Sequence, residues 1–535
     1  MASTTTLPAQ AAQSRTFASW LAPVLFAAGL LLRLRLAWTT FLNPDEALHY
    51  FLAHQPSLKA TYEASLTTTH PPLMIVFLHL WSRLGNSEFA LRLPFVIAGV
   101  LFCWFMFLWA GKVAGRAAGW FTLPLCLFLP PLVSLSAEIR QYALLLLFCA
   151  FCLYSLERSL FEGSTKWMAL SAVALYLALL THYSALIFAA AVGVYGLLRL
   201  MQVDSAAKLT SPWIATQLGG LGICGFLFES QVAKLRHSGL PSEIAGTWLR
   251  NSIFHHGQNA LAFAWTRTLR LFRYFFSHGT IGVLGFLLFA FALAALLWCN
   301  RHNEKHDRSL ALLLLLPFLM TSAMSIAGLY PYGGTRHDVV LALFALPGVA
   351  IGLDRLPLGR GKPAMFAKSV CLVTALIICN AFASPSGPYI APRDQERSRM
   401  QQALAFLRSL PAGSTILTDQ QGSMVLNYYL CDEKMPLAFF QQSQPLLRLQ
   451  CGEYFVIAAA NTQTGFDRGA FPALLKEVWL EGQPASVYLF QSGWINDKEE
   501  VWLDELRELG GRPRNFGPNI LVCKFSRQAL SGQEP

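Results

Sequence analysis

The chain is organised by apolar runs about as long as the hydrocarbon core of a bilayer is thick. They fall near 18–39, 88–110, 117–136, 141–160, 167–181, 184–200, 213–230, 279–299, 309–329, 339–355 and 367–384. A helix rises ~1.5 Å per residue, so roughly 20 apolar residues cross ~30 Å of hydrocarbon. The expected fold is therefore a polytopic α-helical membrane protein with about eleven transmembrane helices. Composition agrees, since 54% of the 535 residues are hydrophobic and only 13% are charged, about half the charged share of a soluble domain. The polar start "MASTTTLPAQAAQSRTF" has no cleavage pattern, so Trp20–Trp38 reads as a retained first span. Residues 167–200 have to hold two short spans hinged near His182-Tyr183. Counted as one, they would invert everything downstream.

Orientation follows from the short loops, because Lys and Arg favour the cytoplasmic side. With a cytoplasmic N-terminus, "GKVAGR", "ERSLFEGSTK", "RLMQVDSAAK", "RHNEKHDR" and "RLPLGRGKPAMFAK" all fall inside, each with two or more basic residues. The net charge of +11 is thus assigned to membrane topology, and no nucleic-acid partner is expected. The long external loop 231–278 is basic as well, with Lys234, Arg236, Arg250, Arg267, Arg270 and Arg273. Of the 11 cysteines, Cys431, Cys451 and Cys523 lie in the polar tail. The other eight sit in apolar runs, where Cys behaves as a small hydrophobe. Spacing does not say whether Cys431 and Cys451 pair.

Two external regions stand out. Residues 42–87 form a long first loop with helical patterns at Asp45–His54 and Pro72–Leu84, the second too short to span. After Ser384 the chain turns polar, which divides it into a transmembrane domain, 1–384, and an external domain, 385–535. In the tail "STILTD", "YFVIAAA", "SVYLFQSGW" and "NILVCKF" read as strands. "RDQERSRMQQALAFLRSL", "FDRGAFPALLKEVWL" and "EEVWLDELRELG" read as helices, so a small α/β domain is expected.

Chemistry-bearing residues cluster on the external side. In "NPDEALHY" a helix start explains Asn43, Pro44 and the acids Asp45 and Glu46. A carboxylate base at the bilayer surface explains the acids equally, and a capped helix is a rigid mount for one. His70 in "TTTHPPL" stands at a second helix mouth, as a loop residue, a phosphate contact or a metal ligand. His255-His256 in another external loop is the companion metal candidate, and a divalent metal ion is the only cofactor left open. "SAEIRQY" puts Glu138, Arg140 and Tyr142 at the external end of the third span. "YPYGGTRHD" puts Tyr330, Tyr332, Arg336 and His337 on the same side, with a Gly pair that lets backbone approach a ligand closely. Arg grips phosphate oxygens bidentately. Snorkelling and an aromatic belt are the plainer explanations for the arginines and tyrosines. One topology nevertheless brings acid, His and Arg groups to one membrane face, which suits an anionic lipid phosphate plus a carboxylate that activates an acceptor.

The ordered elements "PDEA", "HPPL", "RLP" (Arg92–Pro94), "RQY" and "YP…RH" resemble the GT-C class of polyprenol-phosphate-sugar-dependent glycosyltransferases. The protein O-mannosyltransferases (glycosyltransferase family 39) and the aminoarabinose transferases are the similar groups, over about residues 18–345. The resemblance implies inverting transfer of a sugar from an undecaprenyl- or dolichyl-phosphate donor to a lipid, glycan or protein acceptor at the external face. It implies Asp45 as base; Arg92 of "RLP" and the hinge residues His182 and Tyr183 join the substrate-binding candidates. It also implies a bacterial inner-membrane enzyme of the cell envelope whose tail is periplasmic. Thr69-His70 replaces the acid and Lys of aminoarabinose transferases, and Arg336-His337 replaces the usual Arg-Tyr. A transporter or lipid flippase is the rival reading. It would favour charges buried within spans, and only Arg33 and Arg35 in the first run are of that kind.

Overall fold

The structure is a computed structural model. It describes residues 7–235, 246, 249–298, 304–359, 361–383, 395–431, 435, 446–459, 471–482, 486–493 and 499–526. Arg236 and the expected domain junction at 384/385 lie outside these. The chain divides into two compact units, residues 1–37 with 92–387, and residues 38–91 with 388–535. The first external loop is therefore grouped with the tail.

In the larger unit a helix occupies every apolar run. Among the described residues seven helices are long and apolar enough to cross a membrane, and up to eight if the bent pair Arg116–Phe128 and Pro130–Ser136 is one span. Thr165–Leu179 and Ala185–Leu200 are shorter apolar helices. They meet at the expected hinge, where a turn carries His182 and Tyr183.

The bent pair turns by 60°, and its cause is local. Pro130 and Pro131 have no N–H to give to the carbonyls four residues back, those of Cys126 and Leu127. Arg33 replaces both donors. Its Nη2 donates to the Cys126 carbonyl at 3.1 Å and its Nη1 to the Leu127 carbonyl at 2.8 Å. Arg33 is fully buried, and a backbone carbonyl in an apolar interior needs such a partner. The buried charge of the first span thus has a structural task, which accounts for Arg33, one of the two charges that favoured a transporter.

Elsewhere small residues set the packing. Gly348 and Gly352 lie one turn apart on helix Ala342–Arg355, and a Cβ on Gly352 would sit 2.1 Å from the Leu288 carbonyl oxygen. Helix Gly279–Trp298 approaches to backbone contact there, the usual route to tight association where no hydrophobic driving force exists between helices.

The smaller unit contains a six-stranded mixed sheet. Its strands are β1 Thr415–Asp419, β2 Leu446–Cys451, β3 Tyr454–Ala459, β4 Ser486–Ser492, β5 Arg512–Gly517 and β6 Ile520–Ser526, in the order β2-β3-β1-β4-β6-β5. β1 pairs in parallel with β3 and β4, and the other pairings are antiparallel. All five residues of β1 are buried, as a central strand covered on both faces requires. Leu417, Val487 and Leu489 pack with Phe471, Leu475 and Trp479 of one helix and Trp502 and Leu506 of another. The four expected strands and three expected helices are present; β2, β5 and the short helix Gln420–Leu426 were not foreseen. Cys431 and Cys451 form a disulfide, while Cys523 is free and buried. The first loop folds as helices Pro44–Ala53, Leu58–Ser65 and Leu73–Trp81, the middle one not expected.

Candidate functional site

The candidate residues form two groups, one in each unit. In the smaller unit, "NPDE" starts helix Pro44–Ala53 through a capping box. Glu46 N–H donates to Asn43 Oδ1 at 3.0 Å, and Asn43 N–H donates to Glu46 Oε2 at 3.0 Å. Two otherwise orphaned amides are satisfied reciprocally. Glu46 is fully buried, whereas Asp45, one position before it, is only half-buried. The pair is thus divided between a cap and a carboxylate that takes no part in it. His49 follows Asp45 by one helical turn and is buried, its ring 6.4 Å from that of His70. Sequence reading passed over His49, although the i, i+4 spacing from Asp45 was a usable signal.

In the larger unit the core of the candidate site is Arg140, Tyr142, His182 and His337, all buried. The Arg140 guanidinium lies 5.5 Å from the Tyr142 ring centroid. The Tyr142 ring is 5.5 Å from that of His182 and 6.4 Å from that of His337. Three segments far apart in sequence therefore converge. Ser184 N–H donates to His182 Nδ1 at 3.1 Å, which leaves the ring proton of the neutral tautomer on Nε2. Burial, then the Arg140 charge, pulls the His182 imidazole down to about 3. It is a neutral donor at ordinary pH, beside a fixed cation. Ser134 Oγ donates to Glu138 Oε1 at 3.2 Å, and Tyr330 Oη donates to the His337 carbonyl at 2.8 Å. Tyr183 Oη donates to Gln231 Oε1 at 2.7 Å.

Some candidates have plain structural explanations. Arg92 is fully buried and donates from Nη1 to the Ala37 carbonyl at 3.0 Å. His255 is exposed, and its Nε2 donates to the Arg250 carbonyl at 2.8 Å. Among the described residues no three His, Cys, Asp or Glu side chains gather as a metal-binding group.

The Gly333-Gly334 pair needs a correction. Both amides, at 3.0 and 3.2 Å, and that of Thr335 at 3.3 Å, donate to Asp338 Oδ2. Cβ atoms on the two glycines would meet the Arg267 side chain at 2.6 Å and the Arg270 carbonyl oxygen at 2.9 Å. The close approach that glycine permits is therefore to helix Ala260–Phe276, and the loop amides are occupied by Asp338. Arg336 is half-buried at the start of the next helical turn. The Thr335–Asp338 capping box was legible as T-x-x-D but went unread.

Apolar helices packed to backbone contact, a broken span and a buried Arg–Tyr–His cluster define a membrane-embedded helical protein that carries a mixed-sheet domain. The fold is that of the GT-C membrane glycosyltransferases. Over 96% of this chain and 99% of the other, it is similar to ArnT from Cupriavidus metallidurans bound to undecaprenyl phosphate, at 15% identity and a TM-score of 0.51. The apo state of that ArnT matches over 97% and 99%, at 14% identity and a TM-score of 0.51. The Archaeoglobus fulgidus oligosaccharyltransferase tethered with an acceptor peptide is similar over 88% of this chain and 69% of its own, at 11% identity and a TM-score of 0.49. Residues 69–227 match the family model described as dolichyl-phosphate-mannose-protein mannosyltransferase. No curated protein matches the chain in sequence.

Proposed function

We propose that this chain is an integral-membrane glycosyltransferase. It moves a sugar from a polyprenyl-phosphate donor to an acceptor hydroxyl at the external, periplasmic face, with inversion. The observation that carries the reading is the buried Arg140–Tyr142–His182–His337 cluster. A permanent cation and a neutral imidazole donor, shielded from water, suit a lipid phosphate. The ArnT fold, known with undecaprenyl phosphate bound, supports the same ligand. Arg140 and Arg336 hold the phosphate, and His182 donates a hydrogen bond to it.

Asp45 is the base. As the acceptor oxygen bonds to the anomeric carbon, the bond from that carbon to the phosphate oxygen breaks. Undecaprenyl phosphate leaves as the anion, and the acceptor proton passes to Asp45. Attack opposite the leaving group inverts the anomeric centre. The Cys431–Cys451 disulfide supports an external tail, since disulfides persist on the oxidising side of a membrane.

The test is to incubate the purified protein with undecaprenyl-phosphate mannose and undecaprenyl-phosphate aminoarabinose in lipid vesicles, with water as the substitute acceptor hydroxyl, and measure release of undecaprenyl phosphate. Cleavage of either donor is the expected result. Movement of intact donor between leaflets without cleavage would establish the flippase reading instead.

A further inference from the structure

We propose that the Tyr428-Tyr429 turn of the tail is a positioning clamp for the Asp45 helix. Tyr429 is its positioning residue, and the Cys431–Cys451 disulfide fixes the clamp to the sheet. The proposal rests on the reading of Asp45 as base, because a clamp on this helix serves catalysis only if the helix carries a reacting group.

Every contact lies within the smaller unit. Leu42, one residue before the Asn43 cap, donates its N–H to Tyr429 Oη at 2.8 Å and to Glu88 Oε1 at 3.1 Å. Glu88 in turn is ion-paired with Arg397. Phe41 N–H donates to the Gln395 carbonyl at 2.9 Å. Tyr428 Oη donates to the Asn86 carbonyl at 2.7 Å, and its ring stands edge-on to that of Tyr50, with centroids 5.0 Å apart. Gly493, just past β4, has φ +126°, and a Cβ there would lie 2.4 Å from Pro44 Cγ. The tail thus bonds to the backbone before the cap that orients Asp45 and packs against side chains after it.

The grip is itself anchored. Cys431 closes the turn Asn427–Cys431 and is bonded to Cys451 at the end of β2. A base displaced by ~1 Å loses on the order of 100-fold in rate, so a group that acts through another is useful here without touching substrate.

The test compares hydrogen exchange and turnover in the full-length protein. Tyr429→Phe keeps the ring and removes the hydroxyl. Exchange at Leu42–Ala47 should rise about tenfold, the size of one net hydrogen bond, with Thr415–Asp419 unchanged. For whichever of undecaprenyl-phosphate mannose or aminoarabinose the wild type cleaves, kcat should fall about tenfold at unchanged KM. Gly493→Ala should act in the same way. Wild-type exchange at Leu42–Ala47 in both variants overturns the clamp, whatever their turnover. Wild-type exchange there in the double variant Cys431→Ser, Cys451→Ser overturns the part given to the disulfide. Faster exchange in Tyr429→Phe, combined with normal turnover in Asp45→Asn, keeps the clamp and overturns the reading of Asp45.

Discussion

Asp45 and Glu46 show how neighbouring carboxylates divide their tasks. Both were legible in "NPDE", because a helix cap and an acid pair are local patterns. Which of them turns back to Asn43 follows from spacing, since Glu46 holds the third helical position that closes a capping box. The expected consequence is asymmetric. Asp45→Asn should lower single-turnover sugar transfer by about 10²-fold or more, the range for a positioned base, with donor affinity unchanged. Glu46→Gln should leave transfer within a few-fold, because Gln also completes a capping box. Arg140→Ala should instead weaken donor binding by about 1.5–3 kcal/mol, a lost charged hydrogen bond, measured by titration with undecaprenyl phosphate. His182 was legible as a hinge residue and a substrate-binding candidate. Its partners Tyr142 and His337 come from other helices, so no local pattern announces the cluster.

Among the elements, β1 joins the tail's core to a titrating group. Asp419 ends this strand and caps the next helix, accepting from Gly422 N–H at 2.6 Å. It also accepts from Gln491 Nε2 at 3.1 Å, while Gln491 Oε1 accepts from Trp502 Nε1 at 2.7 Å. Burial raises the Asp419 carboxyl to about 6, against the hydrogen bonds that lower it. The folded tail therefore favours the protonated acid. That contribution is complete below the unfolded value of 3.8 and is lost as pH rises through about 6. Protection of the β1 amides, corrected for intrinsic exchange, should fall between pH 4 and 7 by about 2–3 kcal/mol at most. Asp419→Asn should flatten the slope.

The long, strongly apolar helices were the most legible elements. β2 and β5 were missed because Arg448, Gln450, Arg512 and Arg514 break up their apolar character. The Pro130-Pro131 break was missed because apolar content on either side of it is continuous.

For the whole molecule, the division into spans and a polar tail was legible from composition alone. That residues 38–91 belong with the tail was not, because Leu42 and Tyr429 are 387 positions apart. Topology is tested by thiol labelling with a membrane-impermeant reagent. Lys476→Cys should react in intact cells, and Lys305→Cys only after permeabilisation. The reverse pattern would also remove the external site.

The Arg33 contact has a consequence for how the chain is made. The donor's helix is synthesised before the bent pair, and its acceptor carbonyls lie 93 and 94 residues later. At ~5–20 residues per second the ribosome needs on the order of ten seconds to deliver them. Through that interval a guanidinium in an apolar segment costs ~3 kcal/mol in lipid. That cost favours keeping the helix beside the insertion machinery until the bent hairpin arrives. Arg33→Leu should free it early, and crosslinking of stalled nascent chains to the translocon would record the shorter stay.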